Sequence, residues 1–131
     1  MINARREEGW EGIEPTDYKN EPGTWMDVRR HVLFDSAHSQ FQTRAFELAP
    51  EGYTSFEKHE HEHCVVVMLG GGRVRLGDAW TEIGSGDVVH VGPWEPHQFV
   101  AGSEGMTILC IVDRERDRPV LLGNSEPPEA S

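Results

Sequence analysis

Lys58-His59-Glu60-His61-Glu62-His63-Cys64 runs without a break into Val65-Val66-Val67-Met68-Leu69, and the reading of this stretch decides the reading of the chain. On an extended strand successive side chains face opposite ways, so His59, His61 and His63 share one face while Lys58, Glu60 and Glu62 share the other. The imidazole face continues into Val65, Val67 and Leu69, which are core-type residues, so the histidines are expected to look inward. Burying three imidazoles without partners costs on the order of several kcal/mol, whereas a transition metal satisfies them and adds coordination energy. The competing interpretation is a solvated edge strand carrying adventitious histidines. A straight strand would hold the Cα atoms of His59 and His63 ~13 Å apart at ~3.3 Å per residue. The strand must therefore bend, or one of the three is not a ligand; His59 with His61 is the pair that converges most easily.

A fourth histidine follows at the end of Gly86-Asp87-Val88-Val89-His90-Val91-Gly92-Pro93-Trp94-Glu95-Pro96-His97. Pro93 and Pro96 stiffen the turn and hold His97 in a fixed direction at the start of the next strand, which is the preorganisation a metal ligand needs. Around these two segments lie short β-rich runs separated by Gly, Pro and Asp: 28–34, 41–48, 59–69, 73–76, 79–83, 87–91, 98–101 and 106–112. Gly77-Asp78 reads as a two-residue hairpin turn and Gly70-Gly71-Gly72 as a second reversal. No stretch keeps a helical period. Short antiparallel strands at this spacing predict an all-β protein, a double-sheet jelly roll.

With both histidine segments in view, the chain resembles the cupin family, as a small single-domain member. Gly52, His59, His61, His63 and Gly70 fill the positions of the first cupin motif, and Gly86, Pro93 and His97 those of the second. The resemblance implies a double-stranded β-helix barrel with His59, His61, His63 and His97 as ligands of one divalent transition metal (Mn, Fe, Ni, Zn or Cu). Only Glu62 separates His61 from His63, and His63 stands where the family usually has a glutamate, which implies an all-histidine site.

A chain of 131 residues is one ordinary domain. The expected division is an N-terminal arm over 1–22, docked on the barrel or on a partner subunit, a barrel over 23–120 and a disordered tail over 121–131. A net charge of -11 makes nucleic acid and anionic membranes poor partners. The longest apolar stretch falls far short of the ~20 residues of a membrane span, and a cytoplasmic location is expected. Cys64 and Cys110 each sit in an apolar run that reads as a buried strand, with no zinc or redox spacing.

Four or fewer protein ligands leave open positions for water, oxygen or an oxyanion. The expected function is dioxygenase-type oxidoreductase chemistry on a small oxygen-bearing substrate. The alternatives are a non-enzymatic metal-dependent binding or sensor module and a metal-dependent isomerase or lyase. Arg44, Phe46, Trp94, Phe99 and Cys110 are candidate pocket residues, although each type is more often surface or core. Glu47, Glu57 and Glu95 are the carboxylates near the site in sequence, and none stands out as a general base. His31, His38 and His90 have no partner by spacing. The apolar residues of the arm fit an exchanged strand, so a homodimer is expected.

Overall fold

The computed structural model describes residues 1–18 and 25–129. Its strands are β1 (Thr16–Asp17), β2 (Met26–Asp35), β3 (Phe41–Tyr53), β4 (Glu57–Lys58), β5 (His63–Leu76), β6 (Ala79–Gly84), β7 (Val88–Val91), β8 (His97–Asp113) and β9 (Val120–Leu121), with no helix among the described residues. The all-β jelly-roll barrel expected from the strand spacing is what forms: a curled antiparallel sheet organised around β8, which pairs with β3 on one edge and β5 on the other. Alternation explains the closure. On β2, β3, β5 and β8 one set of alternate residues, including Val28, Phe46, Leu48, Val65, Val67, Ile108 and Cys110, points into a shared core.

Two expectations about the strands change. Gly70-Gly71-Gly72 is not a reversal, because β5 runs straight through it with an irregular register against β8, Gly70 opposite Met106 and Gly72 opposite Ala101. The glycines permit close backbone approach: a Cβ on Gly72 would lie 2.0 Å from the Val100 carbonyl oxygen. The runs at 98–101 and 106–112 are likewise one strand. The Gly77-Asp78 turn is a hairpin as expected, closing the Leu76 and Ala79 pair, with Gly77 at φ 61°.

The described part of the N-terminal arm docks on its own barrel. Thr16 and Asp17 pair with Arg30 and Arg29, while Trp10 packs edge-on to the buried His31, whose Nε2 meets Glu47 on the outer face. The expected boundary at residues 22 and 23 lies outside the described residues. At the other end, the composition of residues 120–125 offers no reason for order, yet they are tied down. β9 pairs with β4, the Ser125 hydroxyl accepts from Phe56 N at 2.7 Å, and Gln98 donates to the Ser125 carbonyl. Both cysteines are free thiols; Cys110 is buried, whereas Cys64, expected in a buried strand, faces outward and is exposed.

Candidate metal centre and its pocket

The strand that carries the histidines starts later than alternation suggests. β5 begins at His63 and β4 ends at Lys58, so residues 59–62 form a bend. Its backbone is satisfied from remote parts of the chain: Trp94 N donates to the His59 carbonyl at 2.8 Å, and Asp117 accepts from Glu60 N at 2.8 Å and from His61 N at 3.0 Å. The face-sharing argument for the three histidines therefore fails. The bend it demanded is present and brings them together by another route.

His97 stands at the head of β8 directly opposite Glu57 of β4, and its approach to the bend completes the cluster. One ligand atom each from His59, His63 and His97 lies within 4.8 Å of the others. His61 is not in that set; its ring stacks on His59 with centroids 3.7 Å apart, and its Nδ1 donates to Asp117 at 2.7 Å.

The hydrogen bonds determine which nitrogen is free. Carbonyl and carboxylate oxygens only accept, so the Nδ1 atoms of His59, His61 and His97, bonded to the His61 carbonyl (2.7 Å), Asp117 and the Glu95 carbonyl (2.9 Å), carry the protons. Nδ1 of His63 lies 3.4 Å from Cys110 Sγ. The Nε2 atoms of His59 and His63 are buried without any partner. Buried lone pairs without a partner are costly, and ligand imidazoles commonly have the other ring nitrogen held in this way, so the three histidines have the donor atoms to hold a metal ion. Burial, followed by repulsion from His97 and His61, lowers the His59 pKa to about 4. Burial also pushes His63 far below the usual imidazole value, and His97 below it. All three are neutral, as ligands must be.

His63 and His97 of the cluster, together with His61, line a cavity of about 310 Å³. Among the anticipated wall residues, Arg44, Phe46, Phe99 and Cys110 line it. Arg44 is buried rather than a solvated surface residue, and burial raises the Cys110 pKa against the pull of Arg44. Trp94 is not a wall; it sits at φ 60° and is exposed. Of Glu47, Glu57 and Glu95, Glu57 is the one in the cavity, buried, with Oε1 4.0 Å from His97 Nε2 and Oε2 accepting from Ser55 at 2.7 Å. Glu47 meets His31 on the outer face, and Glu95 accepts from Gly92 N in the proline turn. His90 does find a partner, Glu62, at 2.9 Å.

Sequence reasoning missed the segment 114–119. Its alternating charges read as an exit from the barrel or part of a subunit interface, but Arg114, Arg116, Asp117, Arg118 and Pro119 line the cavity. No local pattern announces a residue that hydrogen-bonds across 56 positions of chain.

Comparison with known proteins agrees with the fold. The profile of the cupin domain family matches residues 44–112. The chain is 35% identical over 114 residues to a Rhodospirillum rubrum protein named 1-methylthio-D-xylulose 5-phosphate methylsulfurylase, covering 86% of this chain and 73% of the relative. A crystal structure of a cupin-2 domain from Rhodospirillum rubrum superposes with a TM-score of 0.85 at 31% identity, over 96% of this chain and 86% of that one. The polyketide cyclase RemF from Streptomyces resistomycificus superposes at 0.78 with 26% identity, over 96% of this chain and 90% of that one.

Proposed function

The chain belongs to the cupin domain family, and on that premise we propose that it is a metal-dependent enzyme acting on a small anionic, oxygen-bearing substrate inside the barrel. The observation that carries this reading is the pair of buried, partnerless Nε2 atoms of His59 and His63, gathered with His97, where His63 and His97 also line a cavity. His59, His63 and His97 would hold the metal, with His61 as the fourth candidate ligand. A divalent transition metal there supplies Lewis acidity toward a substrate oxygen. Neutral imidazoles leave the full charge of the ion in place, which favours an enolate, phenolate or carboxylate.

The chain's own residues do the rest. Glu57, held by Ser55 and opposite His97, accepts a proton from substrate at Oε1 and returns it, the proton transfer that isomerase or lyase chemistry requires. Arg44 on the cavity wall attracts the anion. Phe46, Val65, Phe99 and Ile108 provide apolar walls that keep the space around the reacting atoms dry. Oxygenation of a bound enolate, the dioxygenase-type chemistry expected from sequence, is the second reading, since imidazole ligands suit iron and copper as well as zinc and nickel.

The test is elemental analysis of protein purified without a histidine tag, followed by a substrate screen with and without oxygen. About one equivalent of Mn, Fe, Ni, Cu or Zn per chain and turnover dependent on it are expected. Folded protein that neither holds nor takes up metal would remove the proposal. Oxygen consumption matched to turnover would select the second reading over the first.

A further inference from the structure

We propose that Arg30 and Arg44, with Arg116 on the wall of the same cavity, form a site for the phosphoryl dianion of a small phosphate ester. This deepens the reading of the cavity as a substrate site but does not depend on the metal. Arg44 is 7% exposed, its Nε is buried without a hydrogen-bond partner, and its Nη2 has only the Cys110 thiol at 3.7 Å. Arg30 also has a buried, partnerless Nε, and its guanidinium stacks 4.6 Å over Tyr18. In the β2–β3 register Arg30 lies opposite Phe46 and Arg44 opposite Val32, which makes the two arginines diagonal neighbours on one face. Both line the cavity.

Like charges so placed repel, and a buried unpaired guanidinium is costly. Among the described residues no carboxylate makes an ion pair with Arg30, Arg44 or Arg116. The cavity's two carboxylates are engaged elsewhere, Glu57 with Ser55 and His97 and Asp117 with the 59–62 bend. Arg116 lines the same cavity, and burial first, then the charge of Arg44 with a smaller part from Arg30, holds it below its ordinary pKa. The chain has 23 acidic residues against 12 basic, yet half of its ten arginines (Arg30, Arg44, Arg114, Arg116 and Arg118) line this one cavity. An anion is the missing partner.

Three guanidiniums offer more donors and more charge than one carboxylate can use, whereas a tetrahedral dianion accepts from all of them. A cavity of about 310 Å³ lies at the small end of ligand pockets, which suits a short ester rather than a nucleotide. Cys110 Sγ stands between Arg44 Nη2 at 3.7 Å and His63 Nδ1 at 3.4 Å, so the phosphoryl end and the metal end are a few atoms apart.

The experiment is calorimetric titration of metal-free and metal-loaded protein with inorganic phosphate and, separately, with acetate. Phosphate is expected to bind the metal-free protein at least about tenfold more tightly than acetate, with Arg30→Met and Arg44→Met each weakening it by about tenfold or more. Arg75→Met, outside the cavity, leaves it unchanged. Without phosphate, Arg44→Met should melt no lower than wild type, because a repelled buried charge is gone, and phosphate should no longer raise its Tm. Arg44→Lys keeps one charge without the fork and serves if Arg44→Met misfolds; it should bind phosphate more weakly than wild type. Equal binding of acetate and phosphate, wild-type phosphate affinity in the arginine variants, or phosphate binding only to metal-loaded protein would each overturn the site. Absence of metal from the wild type would overturn the metal reading alone, since the metal-free titration stands without it.

Discussion

His59, His61 and His97 each commit Nδ1 to an oxygen acceptor, and His63 places its own against a thiol, so the ring orientations are fixed before any ligand arrives. Replacing His59 or His97 by Ala should reduce bound metal from about one equivalent to a small fraction, read by elemental analysis. Asp117→Asn weakens the acceptor for the His61 ring and the 59–62 bend together, and should lower metal affinity by about 10–100-fold, measured by competition with a chelator. In the metal-free protein His59, His63 and His97 all have lowered folded pKa values, His59 to about 4 from 6.5. Below pH 6.5 the unfolded chain takes up protons that the folded chain refuses. This contribution to stability is therefore complete above pH 6.5 and is lost as pH falls toward about 4. Urea unfolding midpoints should rise with pH across that window, and the slope should be shallower in His63→Gln.

At the scale of elements, β5 and β8 carry the fold because each contacts two neighbours along most of its length. Their backbones come too close for side chains at Gly70 and Gly72, where an added Cβ would meet the Gly105 carbonyl oxygen at 2.2 Å and the Val100 carbonyl oxygen at 2.0 Å. Gly72→Ala should destabilise the protein by about 2–4 kcal/mol in urea unfolding, with the shift in the unfolding limb as the barrel edge separates. A triple glycine looks like a turn because turns and close approaches both need a missing Cβ. Composition alone does not separate them. The end of β4 at Lys58 was equally hidden, because Lys-His-Glu-His alternates as a strand would, and only the acceptor of Asp117 and the donor of Trp94 make a bend there satisfiable.

For the whole molecule, the barrel gathers the N-terminal arm, β4 and the 114–125 segment around its open end. The arm brings Tyr18 into the cavity wall, and the C-terminal segment brings Asp117, Arg114, Arg116 and Arg118. On the outer face, Phe34 and Phe41 stack 5.1 Å apart and, with Ile111, remain exposed. We expect this face to be covered in a homodimer; light scattering should give twice the 14.8 kDa chain mass, and Phe34→Asp with Phe41→Asp should return a folded monomer. A monomeric wild type would leave the arm's docking on its own barrel as the whole of its structural use.

The all-β class, the Gly77-Asp78 hairpin and four histidines in two segments were all legible from the sequence, since period, turn chemistry and ligand type are local properties. So was the cupin resemblance, which rests on those same spacings. The tertiary structure alone decided that His59, His63 and His97 converge through a bend rather than along a strand. It alone selected Glu57 from three nearby carboxylates, because β4 pairs it with His97. It alone placed Arg30 and Arg116 beside Arg44, already a candidate pocket residue, on the wall of one cavity. The reason is common to all three: each depends on which distant strand lies alongside, and pairing between strands is set by the closed barrel, not by any window of sequence.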